Sequence, residues 1–459
     1  MRNIFYALAI VLVIFSCQEK APIDYIVLSG KIQNNTAKEL VFATNLGVPQ
    51  DTLAITNDGN FSNTLKVEAG RYMLFDGMNR IPLYLKTADN INIDFDAKDY
   101  NNTLVYSGVG SERNNYIISK SKKEKELSGE GNKIYLLDED AYKSKNQEIK
   151  TALEGMITSA EGISESFKSK EKRNINYEYF AKLNKYEKFH AYHAKKQDFK
   201  ISGGFLNELD NIDYNNEEDF IFSSSYKNIV TAHYNKKASE LAKSDTSIKE
   251  DVAFFKVVGD IPNEMIKNSL LISKAKFGIT ITENLDTYYN SFMSASTNDE
   301  NNKVITESYD KLKVLDAGQP SPKFVNYKNF AGETTSLNDL LGKYVYIDVW
   351  ATWCAPCKAE IPFLKEIEKQ YHDKNIEFVS ISVDKPAHYD KWIKMVNDKE
   401  LSGVQLMADN AFSSEFIKNY MIQGIPRFIL IDPQGNIVTA NAPRPSHEEL
   451  KTLFNELKI

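Results

Sequence analysis

The stretch Tyr344-Val-Tyr-Ile-Asp-Val-Trp-Ala-Thr-Trp-Cys-Ala-Pro-Cys-Lys-Ala-Glu-Ile-Pro362 decides the fold. Tyr344 to Trp350 is an almost continuous apolar run rich in aromatic and β-branched residues, which reads as a buried strand. A short turn leads into Cys354-Ala-Pro-Cys357, and beyond it Ile361, Leu364, Ile367 and Tyr371 recur along one side of a helix. The sequence thus mounts a dithiol on a helix start.

That placement has chemical consequences. The first backbone N–H groups of a helix lack intrahelical partners and its dipole is positive there, so a thiolate at Cys354 is stabilised and its pKa falls below the free value of about 8.5. Cys354 is the expected nucleophile. Two intervening residues let Cys357 reach back and resolve a mixed disulfide, and Pro356 suits a first helical turn, where its missing N–H costs nothing. A Cys-x-x-Cys pair also serves as half of a zinc site, but a second ligand pair is then needed. The third cysteine is Cys17, and the six histidines show no paired spacing near the motif, so no metal is expected.

Around this stretch the pattern is βαβ. Ile376 to Val383 is a second buried strand, Pro386 opens a helix carrying Trp392, Ile393 and Val396, and Arg427 to Asp432 pairs with Ile437 to Ala440 across Asp432-Pro-Gln-Gly-Asn436. Ser446 with Glu449 reads as a capping box for the last helix. Through Trp350-Ala-Thr-Trp-Cys-Ala-Pro-Cys357, Glu360-Ile-Pro362 and Gly424-Ile-Pro426, residues 318 to 459 resemble the thioredoxin-fold domain of the TlpA/ResA-type thiol-disulfide oxidoreductases, related to the AhpC/TSA group.

Several residues acquire roles beside the dithiol. Asp348 is an acid inside an apolar strand, where an ionised carboxylate is costly without a partner; its pKa is expected to be raised, and it is placed to take the proton of Cys357. Its position matches the buried aspartate of thioredoxins. Pro426 resembles the cis-proline that faces the dithiol in this fold, presenting the Ile425 backbone to an extended substrate segment, with Trp350 and Trp353 walling the site. Arg427 departs from the family, in which a small hydroxyl residue commonly follows this proline. Its cation either lowers the Cys354 pKa, selects acidic substrates or points to solvent. Glu360 matches the Glu-x-Pro ending of the signature, as a modulator of thiol protonation or a partner contact. Pro362 is expected to kink the helix.

At the other end, Met1-Arg-Asn precedes an apolar run from Ile4 to Phe15, too short to span a bilayer but suited to a signal-peptide core. Ile14-Phe15-Ser16-Cys17 resembles a bacterial lipobox, which implies acylation of Cys17 and accounts for the three cysteines as one anchor and one redox pair.

Residues 25 to 110 alternate strand-like runs with turn signals such as Asn57-Asp-Gly59, and read as a small antiparallel β-sandwich. They resemble the β-rich N-terminal domain often found ahead of TlpA-type domains. Residues 111 to 315 shift to helical spacing, as in Ile149, Leu153, Met156, Ile157 and Ala160, and read as a helical region. Its histidines, His190, His193 and His233, are expected to be surface or packing residues rather than to bind metal or haem, and the Lys-rich run from Lys120 to Lys125 to form a solvated face. Asp316-Ala-Gly-Gln-Pro-Ser-Pro322 reads as the linker to the catalytic domain.

The 459 residues carry a net charge of −7, a mean hydropathy of −0.42 and no long basic tract, which argues against a nucleic-acid partner. The expectation is an α/β chain: signal peptide 1–16, lipidated tether 17–24, β-rich domain 25–110, helical region 111–315 and thioredoxin-like domain 316–459. It is expected to face the periplasm from a lipid anchor, reduce disulfides of exported proteins without a cofactor, and draw electrons from a membrane thiol donor. A peroxiredoxin-like peroxidase and a non-enzymatic binding lipoprotein are the alternatives.

Overall fold

The computed structural model describes residues 23–44 and 49–459. The expected signal peptide, Cys17 and most of the expected tether lie outside the described residues. The described residues form two compact units that divide after Ile229, inside the helix Ser224–Ser244. The helical region is therefore shared between them.

In the first unit, described strands β1 (Ile26–Gln33), β2 (Glu39–Thr44), β3 (Pro49–Ala54), β4 (Asn60–Leu65), β5 (Gly70–Phe75), β6 (Arg80–Leu85), β7 (Asn90–Asp96) and β8 (Val105–Val109) make two sheets, ordered β4-β1-β7-β8 and β3-β2-β5-β6. Period-two alternation drives the packing: Ile26, Leu28 and Ile32 of β1 and Ile91, Ile93 and Phe95 of β7 point into one core with Leu40, Phe42, Leu74 and Leu83. The antiparallel expectation needs one correction, because β1 and β7 run parallel, from Val27 opposite Asn90 to Gln33 opposite Asp96. After β4 the chain crosses to β5 and β6 of the other sheet, and returns as β7 in the direction of β1; a crossover of this kind permits parallel pairing where a hairpin does not.

The helices Ser111–Ser128, Glu139–Ser159 and Glu165–His193 follow, and Asp138 and Ser164 cap the second and third by accepting from Ala141 N–H and Phe167 N–H. Ile149, Leu153 and Ile157 are buried on one stripe, as their spacing requires. Lys120 departs from the expected solvated face. It is buried and its ammonium lies 2.6 Å from Glu171 and 2.8 Å from Glu178, while Arg71 also reaches Glu171. His190 packs between Tyr186 and Phe199, with Nδ1 2.9 Å from the Tyr135 carbonyl.

The second unit holds the helices Glu250–Gly259, Glu264–Gly278, Leu285–Ala295 and Asp299–Lys313, followed by a mixed sheet. Its strands are β9 (Tyr327–Asn329), β10 (Thr334–Thr335), β11 (Tyr344–Trp350), β12 (Ile376–Ser382), β13 (Val404–Met407), β14 (Arg427–Ile431) and β15 (Ile437–Thr439), ordered β10-β9-β13-β12-β11-β14-β15. Strand β11 is interior, parallel to β12 and antiparallel to β14, which is the thioredoxin arrangement. Leu364 and Ile367 of the helix Ala355–Gln370 and Leu450 and Phe454 of the helix Glu448–Glu456 bury against Tyr346, Phe378 and Phe428. Residues 318–321 are no free linker: Gly318 N–H donates to Ile437 O (2.7 Å) and Ser321 N–H to Gly435 O (2.9 Å), so this stretch lies along β15.

Candidate active site

Strand β11 ends at Trp350, and the turn that follows is pinned from behind. Asp384, fully buried just beyond β12, accepts from Thr352 N–H and Thr352 Oγ1–H, both at 2.8 Å, and from Ser382 Oγ–H at 2.8 Å. Sequence reading missed Asp384; the signal was an acid immediately after a buried strand. With the turn fixed, Cys354 becomes the N-cap of the helix Ala355–Gln370, and the Cys357 amide N–H points at Cys354 Sγ from 3.1 Å. That donor and the helix dipole are what lower a thiol pKa at this position.

Cys354 and Cys357 are joined in a disulfide. They are 4% and 3% exposed, so exposure does not distinguish the two sulfurs, and of the two it is Cys354 that holds the N-cap position. The Ile425–Pro426 peptide is cis, and the Ile425 carbonyl lies 3.8 Å from Cys354 Sγ. Trp353 is 57% exposed beside the dithiol, with Phe412 near its ring. Trp350 does not wall the site. It is buried, because it is the last residue of the interior strand β11 and it lines the space behind the helix.

Asp348 sits in mid-β11 opposite Ser380 of β12 and Phe428 of β14. It is 8% exposed, and burial first, then the negative charges of Glu360 and Glu368, push its pKa up to about 8. Glu360 is buried too, accepting from Ser446 N–H (3.1 Å) and Ser446 Oγ–H (3.0 Å), with Arg444 at 3.8 Å. Its burial removes it as a partner contact and leaves its influence on Asp348. The capping box expected at Ser446 is absent for the same reason: the last helix starts at Glu448 with His447 as N-cap, and the serine hydroxyl is held by Glu360.

Arg427 is 4% exposed, which rules out both a solvent-facing cation and a selector of acidic substrates. Its guanidinium donates to the carbonyls of Ala440 (Nε, 2.9 Å) and Thr280 (Nη1), and burial draws its pKa down to about 10, so it stays charged at neutral pH. Asn441 Nδ2–H donates to Ile281 O (2.6 Å), and a Cβ on Gly424 would lie 2.9 Å from Phe277 Cε2. The end of the helix Glu264–Gly278 is thereby clamped against the cis-proline loop. Phe277, half exposed there, was beyond sequence reading because it lies far from Gly424 in the chain. Among the described residues no group of three or more His, Cys, Asp or Glu is placed to hold a metal, and no helix is long and apolar enough to cross a membrane.

The Redoxin family model matches residues 316–457. The C-terminal domain belongs to the redoxin family. Within it the chain resembles ResA/TlpA-type thiol-disulfide oxidoreductases. It is 25% identical over 157 residues to the thiol-disulfide oxidoreductase ResA of Bacillus cereus, covering 32% of this chain and 83% of that protein. It is 27% identical over 147 residues to the thioredoxin-like protein YneN of Bacillus subtilis, with 32% and 83% covered. The thioredoxin domain of a Bacteroides vulgatus thiol-disulfide oxidoreductase, solved by crystallography, matches at 27% identity over 31% of this chain and 98% of its own, with a TM-score of 0.29. The redoxin domain is an oxidoreductase domain, and its chemistry is thiol-disulfide exchange.

Proposed function

We propose that this redoxin reduces disulfides of exported proteins from a lipid anchor on Cys17, facing the periplasm and recharged by a membrane thiol-electron donor. The observation that carries the exchange chemistry is the dithiol at a helix start, with the Ile425 carbonyl 3.8 Å from Cys354 Sγ and Asp348 buried behind. The envelope location rests on the apolar run Ile4 to Phe15 and the lipobox-like Ile14-Phe15-Ser16-Cys17.

The reduced form enters with a Cys354 thiolate. It attacks a substrate disulfide sulfur, the substrate disulfide breaks, one substrate thiolate leaves, and a Cys354–substrate mixed disulfide forms. Cys357 then gives its proton to Asp348 and attacks Cys354 Sγ; the Cys354–Cys357 bond forms and the second substrate thiolate leaves, protonated from solvent. Two electrons have passed to the substrate. Trp353, Ile425 and Pro426 receive the substrate segment, which pairs with the Ile425 backbone, and Phe277 bounds it on the helical side.

The direction of flow is tested by equilibrating the full chain in glutathione buffers and quantifying the dithiol. A potential near the thioredoxin value of about −270 mV is expected, and one near the DsbA value of about −120 mV overturns the reductase assignment.

A further inference from the structure

Behind the dithiol helix lies a small cavity lined by Asp348, Trp350, Glu368, Ser380, Ser402 and Gln405. It leaves about 10 Å³ for the centre of a water molecule, close to the minimum that holds one. Two polar atoms on its lining residues, Trp350 Nε1 and Gln405 Oε1, are buried without a hydrogen-bond partner, one a donor and the other an acceptor. Buried polar groups are rarely left so, and one water within reach of both would give each its partner. Gln405 is oriented for this by its own amide, which donates to Ser402 O at 2.6 Å.

Glu368 is a second buried acid on this cavity, 9% exposed and three turns along the helix from Cys357. Its Oε2 accepts from Ser402 Oγ–H, and its Oε1 packs so closely on residue 403 that a Cβ there would lie 3.0 Å away, which glycine avoids. The groups around the two acids are few. Glu360 and Lys365 come from the same helix as Glu368, Tyr346 from the strand of Asp348, Ser380 from β12, Gln405 from β13, and Phe428 is the β14 residue opposite Asp348. Burial raises the pKa of Glu368 as it does that of Asp348, so both hold protons more readily than surface acids.

From this cavity we propose that Glu368 is the proton-relay partner of Asp348, joined to it by a water anchored on Gln405 and Trp350. The inference rests on the reading of Asp348 as the base for Cys357. When Cys357 attacks, its proton moves to the Asp348 carboxylate, as above. That proton then passes through the water to Glu368 and out past Ser402 and Lys365, which restores the Asp348 carboxylate without opening the substrate face. No electron moves in the relay, and the proton released equals the one taken from Cys357.

A symmetrical aromatic disulfide tests this, because the reduced protein releases the first aromatic thiolate on attack by Cys354 and the second on resolution by Cys357. In Glu368→Gln the first release is expected to be unchanged, and the second to fall about a hundredfold at its high-pH plateau, the lower end of what a positioned proton-transfer group contributes. Gln405→Leu removes the anchor of the water and keeps both acids, and is expected to slow the second release likewise. It also serves if Glu368→Gln fails to fold. A second release with wild-type plateau and pH profile in either folded variant overturns the relay. Asp348→Asn is run beside them: if it too leaves the second release unchanged, the reading of Asp348 fails, whereas a slowed Asp348→Asn with normal Glu368→Gln defeats the relay alone.

Discussion

Asp348 shows how one residue couples stability to chemistry. A free carboxyl of its kind titrates near 3.8, and in the fold it titrates near about 8, so the folded state favours its protonated form. A raised pKa contributes stability that is full below about pH 4 and is lost as pH climbs through about 8. The oxidised protein should therefore lose on the order of a few kcal/mol across that window, and Asp348→Asn should flatten the loss in pH-dependent denaturant titrations; an equal slope in both proteins contradicts the assignment. The same variant should slow the second thiolate release and leave the first alone. Asp348 was legible in the sequence because an acid amid Tyr-Val-Tyr-Ile and Val-Trp has no ordinary reason to be there. Glu368 was not, since an acid on a helix reads as solvent-facing until the fold turns that side toward β12 and β13.

At the scale of elements, the strand-turn-helix carrying the dithiol followed from local pattern, as did β12, β14 and β15. What local pattern could not give was contact between distant segments. Arg427 is the clearest case: its neighbours in sequence gave no sign that its guanidinium would be taken up by the carbonyls of Thr280 and Ala440. Replacing it with Thr leaves two carbonyls without their charged donor, and a destabilisation of about 2–3 kcal/mol is expected in urea titrations. The Cys354 thiolate titration of that variant separates this clamp from an electrostatic role, since a purely structural Arg427 leaves the thiol pKa where it was. Phe277 sits on the same clamp. Phe277→Ala should raise KM for a folded disulfide-bonded protein while barely changing the reaction with a small aromatic disulfide, which does not span the loop; equal effects on both contradict its place on the substrate wall.

For the whole molecule, the α/β class, the β-rich start and the redoxin end were readable, because period-two and helical spacing change visibly along the chain. The parallel pairing of β1 with β7 was hidden, since register between strands some sixty residues apart leaves no local trace. The division after Ile229 was hidden as well, because no Gly, Pro or composition shift marks it within the helix Ser224–Ser244. Anchoring makes its own prediction: Cys17→Ser should move the protein from the membrane to the soluble fraction of cells while thiol exchange by the purified chain stays unchanged, and retention in the membrane fraction counts against the lipid anchor. The proposed mechanism requires Cys354 as the attacking sulfur and Cys357 as the resolving one. Mass spectrometry of each single Cys→Ser variant after exposure to a disulfide-bonded peptide tests this most directly. Cys357→Ser should hold one peptide, in mixed disulfide with Cys354, and Cys354→Ser should hold none; a peptide trapped on Cys357 instead contradicts the mechanism.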